Sequence, residues 1–135
     1  MHFVVNALQR AEETIALADL GMRKASRPAI KEVAQRIGLD QRQLYSGLQK
    51  LQKKAASDSM PNYNDGSRKE LAQLSGKAFD EQWVEKMVTW NAAGISRYEA
   101  ESRAAKEKGI KKLVTDVLPI LKANQQQLES CRDKS

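Results

Sequence analysis

Residues 28–55 read PAIKEVAQRIGLDQRQLYSGLQKLQKKA, and their spacing decides the fold. Ile30, Ala34, Ile37, Gln41, Leu44, Leu48, Leu51 and Ala55 follow one another in steps of three and four. That period places them on one stripe of an α-helix, with charged and polar residues on the opposite face. Seven of the eight are apolar and the eighth, Gln41, is an amide near the middle. A helix of this length with so narrow a seam needs partner helices to bury it.

The partners are legible on both sides. Val4, Leu8, Ala11, Ile15, Ala18, Met22 and Ala25 form an equivalent seam, so a first helix is expected over about 3–26. Pro28 disfavours helix in the residue before it and suits a first helical turn. A second helix over 28–56 should therefore fold back on the first as an antiparallel hairpin. Residues 57–66, SDSMPNYNDG, are turn-formers. Ser67 and Glu70 have capping-box spacing and predict a short helix over 67–74, broken by Ser75-Gly76. A long helix over 76–108 carries Val84, Met87, Asn91, Gly94 and Tyr98 on its seam, flanked by Trp83, Trp90 and Ile95. Gly109 is expected as its C-cap. A last helix over 110–132 carries Ile110, Val114, Val117, Leu121, Asn124, Leu128 and Cys131, and Pro119 should kink or break it. The expected fold is all-α: one domain over 1–135, an antiparallel four-helix bundle with a short extra helix in the loop between helices two and three.

Composition agrees with this class and excludes others. The chain has 135 residues, with only 7 glycines and 3 prolines, as long uninterrupted elements require. Valine and isoleucine do not fall in alternating runs, so strands are not expected. No stretch approaches the apolar length that spans a bilayer, and Met1-His2-Phe3 leads straight into helix with no signal-peptide pattern. Cys131 is the only cysteine and has neither a disulfide partner in the chain nor metal-ligand spacing. His2 is the only histidine, which leaves histidine-based acid–base catalysis without a base. There is no glycine-rich phosphate loop and no nucleophile–base–acid set.

Three of the four seams contain one amide each: Gln41, Asn91 and Asn124. Counted from the turn at Arg27, Gln41 lies 14 residues on and Thr14 lies 13 residues back. Counted from Lys108, Asn91 lies 17 back and Asn124 lies 16 on. At about 1.5 Å per residue each pair is level to within a turn, near mid-helix. The expectation is a layer of amides across the waist of the bundle, with Thr14 beside it. Unpaired buried amides cost roughly 1–3 kcal/mol each, so they should bond one another or water. Such a layer either fixes helix register, as a buried Asn does in coiled coils, or marks a polar site.

The stretches ADLGMRKASRPAIKEVAQRI (18–37), LAQLSGKAFDEQWVEKMV (71–88), RYEAES (97–102) and VLPILKANQQQL (117–128) resemble the bacterial domain-of-unknown-function 4142 family. The resemblance covers nearly the whole chain. It implies a ferritin-like bundle, typically exported and associated with the periplasm or outer membrane. Members usually carry Asp-His where this chain has Asp40-Gln41, Asp-His-Glu where it has Trp90-Asn91-Ala92, and a histidine at Asn124. Glutamate is frequent near Thr14 and Ala16. By this resemblance, the three amides stand where the family has histidines. Amides are weak ligands for transition metals, for which bundle cores use carboxylate and imidazole. The remaining carboxylates Glu12, Glu13 and Asp40 are expected to be solvated, and Glu99 and Glu101 lie two to three turns from Asn91. No transition metal and no cofactor is expected.

Lys50, Lys53 and Lys54 close helix two, and Lys106, Lys108, Lys111 and Lys112 surround the turn between the last two helices. With a net charge of +6 they form a candidate basic patch for nucleic acid or anionic membrane. The ordinary alternative is cations solvated at helix C-termini, where the dipole favours them. Trp83, Trp90 and Tyr98 line a ligand pocket or, more simply, fill the core. An outward Trp90 would offer a homodimer contact.

Three functions remain open. The leading expectation is a non-catalytic exported bundle that acts on a protein or small polar ligand, in envelope or stress physiology, with a degenerate metal site. The second is a carboxylate-based metal-binding or redox protein. The third is a binder of nucleic acid or anionic membrane. A cytoplasmic location is the alternative to export.

Overall fold

A computed structural model describes residues 2–52 and 66–133. Expectations for Lys53, Lys54, Ala55 and the loop up to Asp65 lie outside these residues. Five helices are described and no strands: α1 (His2–Lys24), α2 (Pro28–Gln52), α3 (Ser67–Ala72), α4 (Gly76–Ala104) and α5 (Lys108–Asp133). α1 packs on α2 and α4 on α5, while α2 also faces α5 and α1 faces α4. The short α3 lies across α1 and α4.

The α2 seam is buried as its spacing predicts, through Ile30, Ala34, Ile37, Gln41, Leu44 and Leu48. All seven seam residues of α5 are buried too. The α1 seam departs from the apolar pattern at its centre. Met22 is exposed and Ile15 half-buried, whereas Thr14, Leu17 and Gly21 face inward. The cause is Trp83, which is fully buried and donates from its indole Nε1 to the Leu17 carbonyl at 2.8 Å. A Cβ on Gly21 would lie 2.6 Å from that ring. The bulk of one tryptophan thus selects glycine, not methionine, as the buried residue of this turn.

Helix ends bring further corrections. Gly66, at φ 85°, is the N-cap of α3, and Ser67 is its first helical residue, so the expected Ser67 cap does not form. α4 stops at Ala104, with Ala105 extended, and Gly109 lies inside α5 instead of capping α4. A Cβ at Gly109 would sit 2.8 Å from Leu51 Cδ2, so glycine there allows α2 and α5 to approach. Pro119 lies within α5 without breaking it.

Among the described residues the buried apolar side chains form two clusters. One includes Leu17, Ile30, Ile37, Phe79, Trp83, Met87 and Leu128, beside the α1–α2 turn. The other includes Val4, Leu8, Leu44, Leu48, Tyr98, Val114 and Leu121, toward the α4–α5 turn. On every long helix the two clusters are separated by about two turns.

Candidate functional site

The gap between the clusters holds the waist. Glu13, Thr14, Gln41, Asn91 and Asn124 are all buried there. They reach it because each occupies the inward stripe of its helix near mid-length. Their partners differ sharply.

Thr14 accepts a 2.8 Å hydrogen bond from Trp90 Nε1 and donates to the Arg10 carbonyl at 2.7 Å. The Arg10 guanidinium lies 3.9 Å from the Trp90 ring centroid and donates to the Trp90 carbonyl at 2.9 Å. Trp90 is therefore buried and bonded, and is not the outward dimer contact that its position suggested. Asn91 Nδ2 donates to the Leu121 carbonyl at 3.0 Å and to Gln125 Oε1 at 2.9 Å. Gln125 in turn donates to the Val88 carbonyl, which ties α4 to α5. Glu13 is not solvated, contrary to expectation: it is 4% exposed and ion-paired with Arg68 of α3 at 3.0 Å. α3 therefore brings a cation to a buried carboxylate.

Two buried polar atoms lack partners among the described residues. Asn124 Nδ2 and the Tyr98 hydroxyl are buried with no hydrogen-bond partner among the described residues. Burial pushes the Tyr98 phenol well above its ordinary range, partly offset by nearby Arg10. Gln41 makes no side-chain hydrogen bond to a described residue either. It lines a small cavity of about 20 Å³ shared with Thr14, Trp90, Asn91 and Tyr98. On its other side Gln41 lines a groove of about 540 Å³ between α2 and α5.

The carboxylates are engaged elsewhere. Asp40 pairs with Arg36 at 3.3 Å, Glu99 with Lys122 at 3.4 Å, and Glu12 accepts from the Tyr45 hydroxyl at 3.3 Å. Burial and the Glu12 charge both raise the Tyr45 pKa. Among the described residues no three His, Cys, Asp or Glu side chains gather closely enough to hold a metal ion. The waist offers amides, a hydroxyl, a phenol and one carboxylate, Glu13, already paired with Arg68, a donor set poorly suited to transition metals.

The lysines fall differently from the sequence reading. Lys108, Lys111 and Lys112 lie in the opening turns of α5, at its N-terminal end, with no acidic residue in the first turn. Cations there oppose the helix dipole, so the dipole does not explain them. Lys50 does lie in the last turn of α2, and Lys106 lies in the turn between α4 and α5.

A second polar centre escaped the sequence reading. Asp80, 3% exposed, accepts from the Ser26 amide at 2.9 Å, the Ser26 hydroxyl at 2.7 Å and the Arg27 amide at 3.1 Å. It caps the entry to α2 from α4, where a carboxylate also suits the helix dipole. Arg27 Nη1 donates to the Cys131 carbonyl at 3.1 Å, and the Cys131 thiol is buried. The signal was present: stepping four back along the seam from Val84 reaches Asp80.

The family model described as "Domain of unknown function (DUF4142)" matches residues 1–131, and the chain belongs to that family. No curated protein matches it. Among solved structures, a DUF305 fragment from Deinococcus radiodurans is 12% identical with a TM-score of 0.89, over 99% of this chain and 95% of that one. CopM in the Cu(I)-bound form is 16% identical with a TM-score of 0.85, over 98% and 94%. CopM in the Ag-bound form is 17% identical with a TM-score of 0.82, over the same shares. At these identities the likeness is one of fold. No helix among the described residues is long and apolar enough to cross a membrane.

Proposed function

We propose that this member of the domain-of-unknown-function 4142 family is a non-catalytic, exported binding protein with a degenerate metal site. In this reading residues 1–135 form one domain, a ferritin-like antiparallel bundle of the four long helices. The observation that carries it is the chemistry of the waist. Where the family resemblance calls for histidines stand Gln41, Asn91 and Asn124, and the buried carboxylate nearby, Glu13, is neutralised by Arg68. Amides retain the hydrogen bonding of imidazole but not its strength as a metal ligand. The waist then serves to recognise a polar group and to hold helix register.

Elemental analysis tests this reading, on protein purified without a histidine tag after exposure to iron, manganese, zinc and copper. Metal far below one ion per chain, with the helical circular-dichroism spectrum intact, is the expected result. Near one ion per chain would overturn it. That outcome would favour a second reading, a metal-binding protein, which draws on the CopM structures with bound copper and silver.

A further inference from the structure

The groove between α2 and α5 is built like a ligand site. Its walls are Leu44, Leu51, Leu113, Val117, Ile120 and Leu121, and Gly47 and Gly109 keep its floor low. A Cβ on Gly47 would meet Leu113 Cδ1 at 3.1 Å. The inner end closes on Gln41, 5% exposed, whose carboxamide makes no hydrogen bond to a described residue. Gln41, Leu44 and Leu121 separate the groove from the waist cavity that contains the unpartnered Tyr98 hydroxyl. The outer end opens between Lys50 and Lys112, beside the N-terminal end of α5. Two aspartates also line the groove, each with its own cation: Asp40 with Arg36, and Asp116 with Lys112 at 3.2 Å. The Lys112–Asp116 pair is solvent-exposed and so holds Lys112 weakly.

Three chemistries therefore follow one another along a single slot: a neutral hydrogen-bonding amide, an apolar wall and a cationic mouth. We propose that this groove binds a medium-chain aliphatic acid that carries a hydroxyl or carbonyl group at its far end. The carboxylate lies between the Lys50 and Lys112 ammonium groups. The alkyl chain lies against the leucines, and the far polar group meets Gln41 Oε1 or Nε2. Gln41 and Lys50 are nine residues apart on one helix, roughly 14 Å at 1.5 Å per residue, a span suited to a chain of about ten to twelve carbons. The groove's basic mouth also gives part of the lysine cluster a role that the α5 dipole does not supply. The proposal rests on the reading of a non-catalytic binding protein. Metal analysis tests that reading by itself, so the two can fail separately.

The experiment is calorimetric titration of the full-length protein with 12-hydroxydodecanoate, dodecanoate and 12-hydroxydodecyltrimethylammonium, each below its micelle concentration. Saturable binding of one 12-hydroxydodecanoate per chain is expected, at least threefold tighter than dodecanoate and at least tenfold tighter than the cation. Gln41→Leu should erase the preference for the hydroxyl while leaving dodecanoate binding unchanged. Lys50→Glu with Lys112→Glu, both exposed positions, should weaken both acids at least fivefold without altering the melting temperature by more than a degree or two. Gly47→Phe should block binding, and the lysine variant keeps the test intact if that protein does not fold. Equal affinity for the two acids, indifference to head-group charge, or no saturable heat would each overturn the proposal. Sedimentation of the free protein closes the remaining route: a dimer that dissociates in the Gly47→Phe variant, with no acid bound by either form, would assign the groove to a second copy instead.

Discussion

Asp80 and Asn124 are about equally buried, yet the structure treats them in opposite ways. Asp80 receives three hydrogen bonds from the α1–α2 turn, so the charge removed from water is repaid in direct contacts. Asn124 leaves its Nδ2, like the Tyr98 hydroxyl, without a hydrogen-bond partner among the described residues. A fully bonded buried polar group is a structural fastener. A buried layer with open donors is a place where something else can bond, or where stability has been given up. The contrast separates the end of the molecule that holds it together from the middle that is free to act.

The largest expected effect tests the fastener. Asp80→Ala removes all three bonds and leaves two backbone amides of the turn unsatisfied, which should cost about 3 kcal/mol by urea denaturation. A loss below about 1 kcal/mol would mean that solvent replaces the carboxylate easily. Gly21→Ala comes next. Its Cβ would crowd the fully buried Trp83 ring at 2.6 Å, and overpacking of this kind should cost about 2 kcal/mol. Loss of the Trp83 indole bond to the Leu17 carbonyl would appear as a changed tryptophan emission.

Within the waist the expected signs diverge. Asn91→Leu breaks bonds to Leu121 and Gln125 and should destabilise by about 1 kcal/mol. Asn124→Leu removes a donor that has no partner and should leave stability unchanged or raise it by about 1 kcal/mol. If both substitutions destabilise alike, the two amides belong to one network, and the distinction drawn between them fails. Tyr98→Phe should have the smallest effect at neutral pH, within about 0.5 kcal/mol of the parent protein. Its signature lies at alkaline pH. Burial raises the folded pKa of Tyr98 above the ordinary 10, so its contribution is fully present below pH 10 and declines as pH rises past that value. Melting temperatures from pH 8 to 11 should therefore fall less steeply for the Phe variant than for the parent.

The helices and the burial of Gln41, Asn91, Asn124 and Thr14 were legible because both follow from counting. Seam period, a proline at the start of α2 and the distance from each turn are properties of the chain itself. So the positions of Gln41, Asn91, Asn124 and Thr14 could be assigned before any coordinates, and the family could be named from four stretches. What those groups bond to could not be read in this way. Glu13 seemed a surface carboxylate until α3 brought Arg68 across it, a contact over 55 positions of sequence. Trp90 looked free to face outward until Thr14 and Arg10, on another helix, accounted for its ring and its N–H.

The sequence by itself determined an all-α chain, its long helices and which polar side chains fall on their buried stripes. These depend on local periodicity and on rise per residue, which neighbouring helices barely alter. Only the tertiary structure decided that Gly21 and not Met22 turns inward, that Asp80 secures the α1–α2 turn, and that Gln41 stands between a small cavity and an open groove. Those outcomes depend on the volume and hydrogen-bond directions of side chains from different helices, and packing settles them at a resolution finer than one residue of sequence pattern.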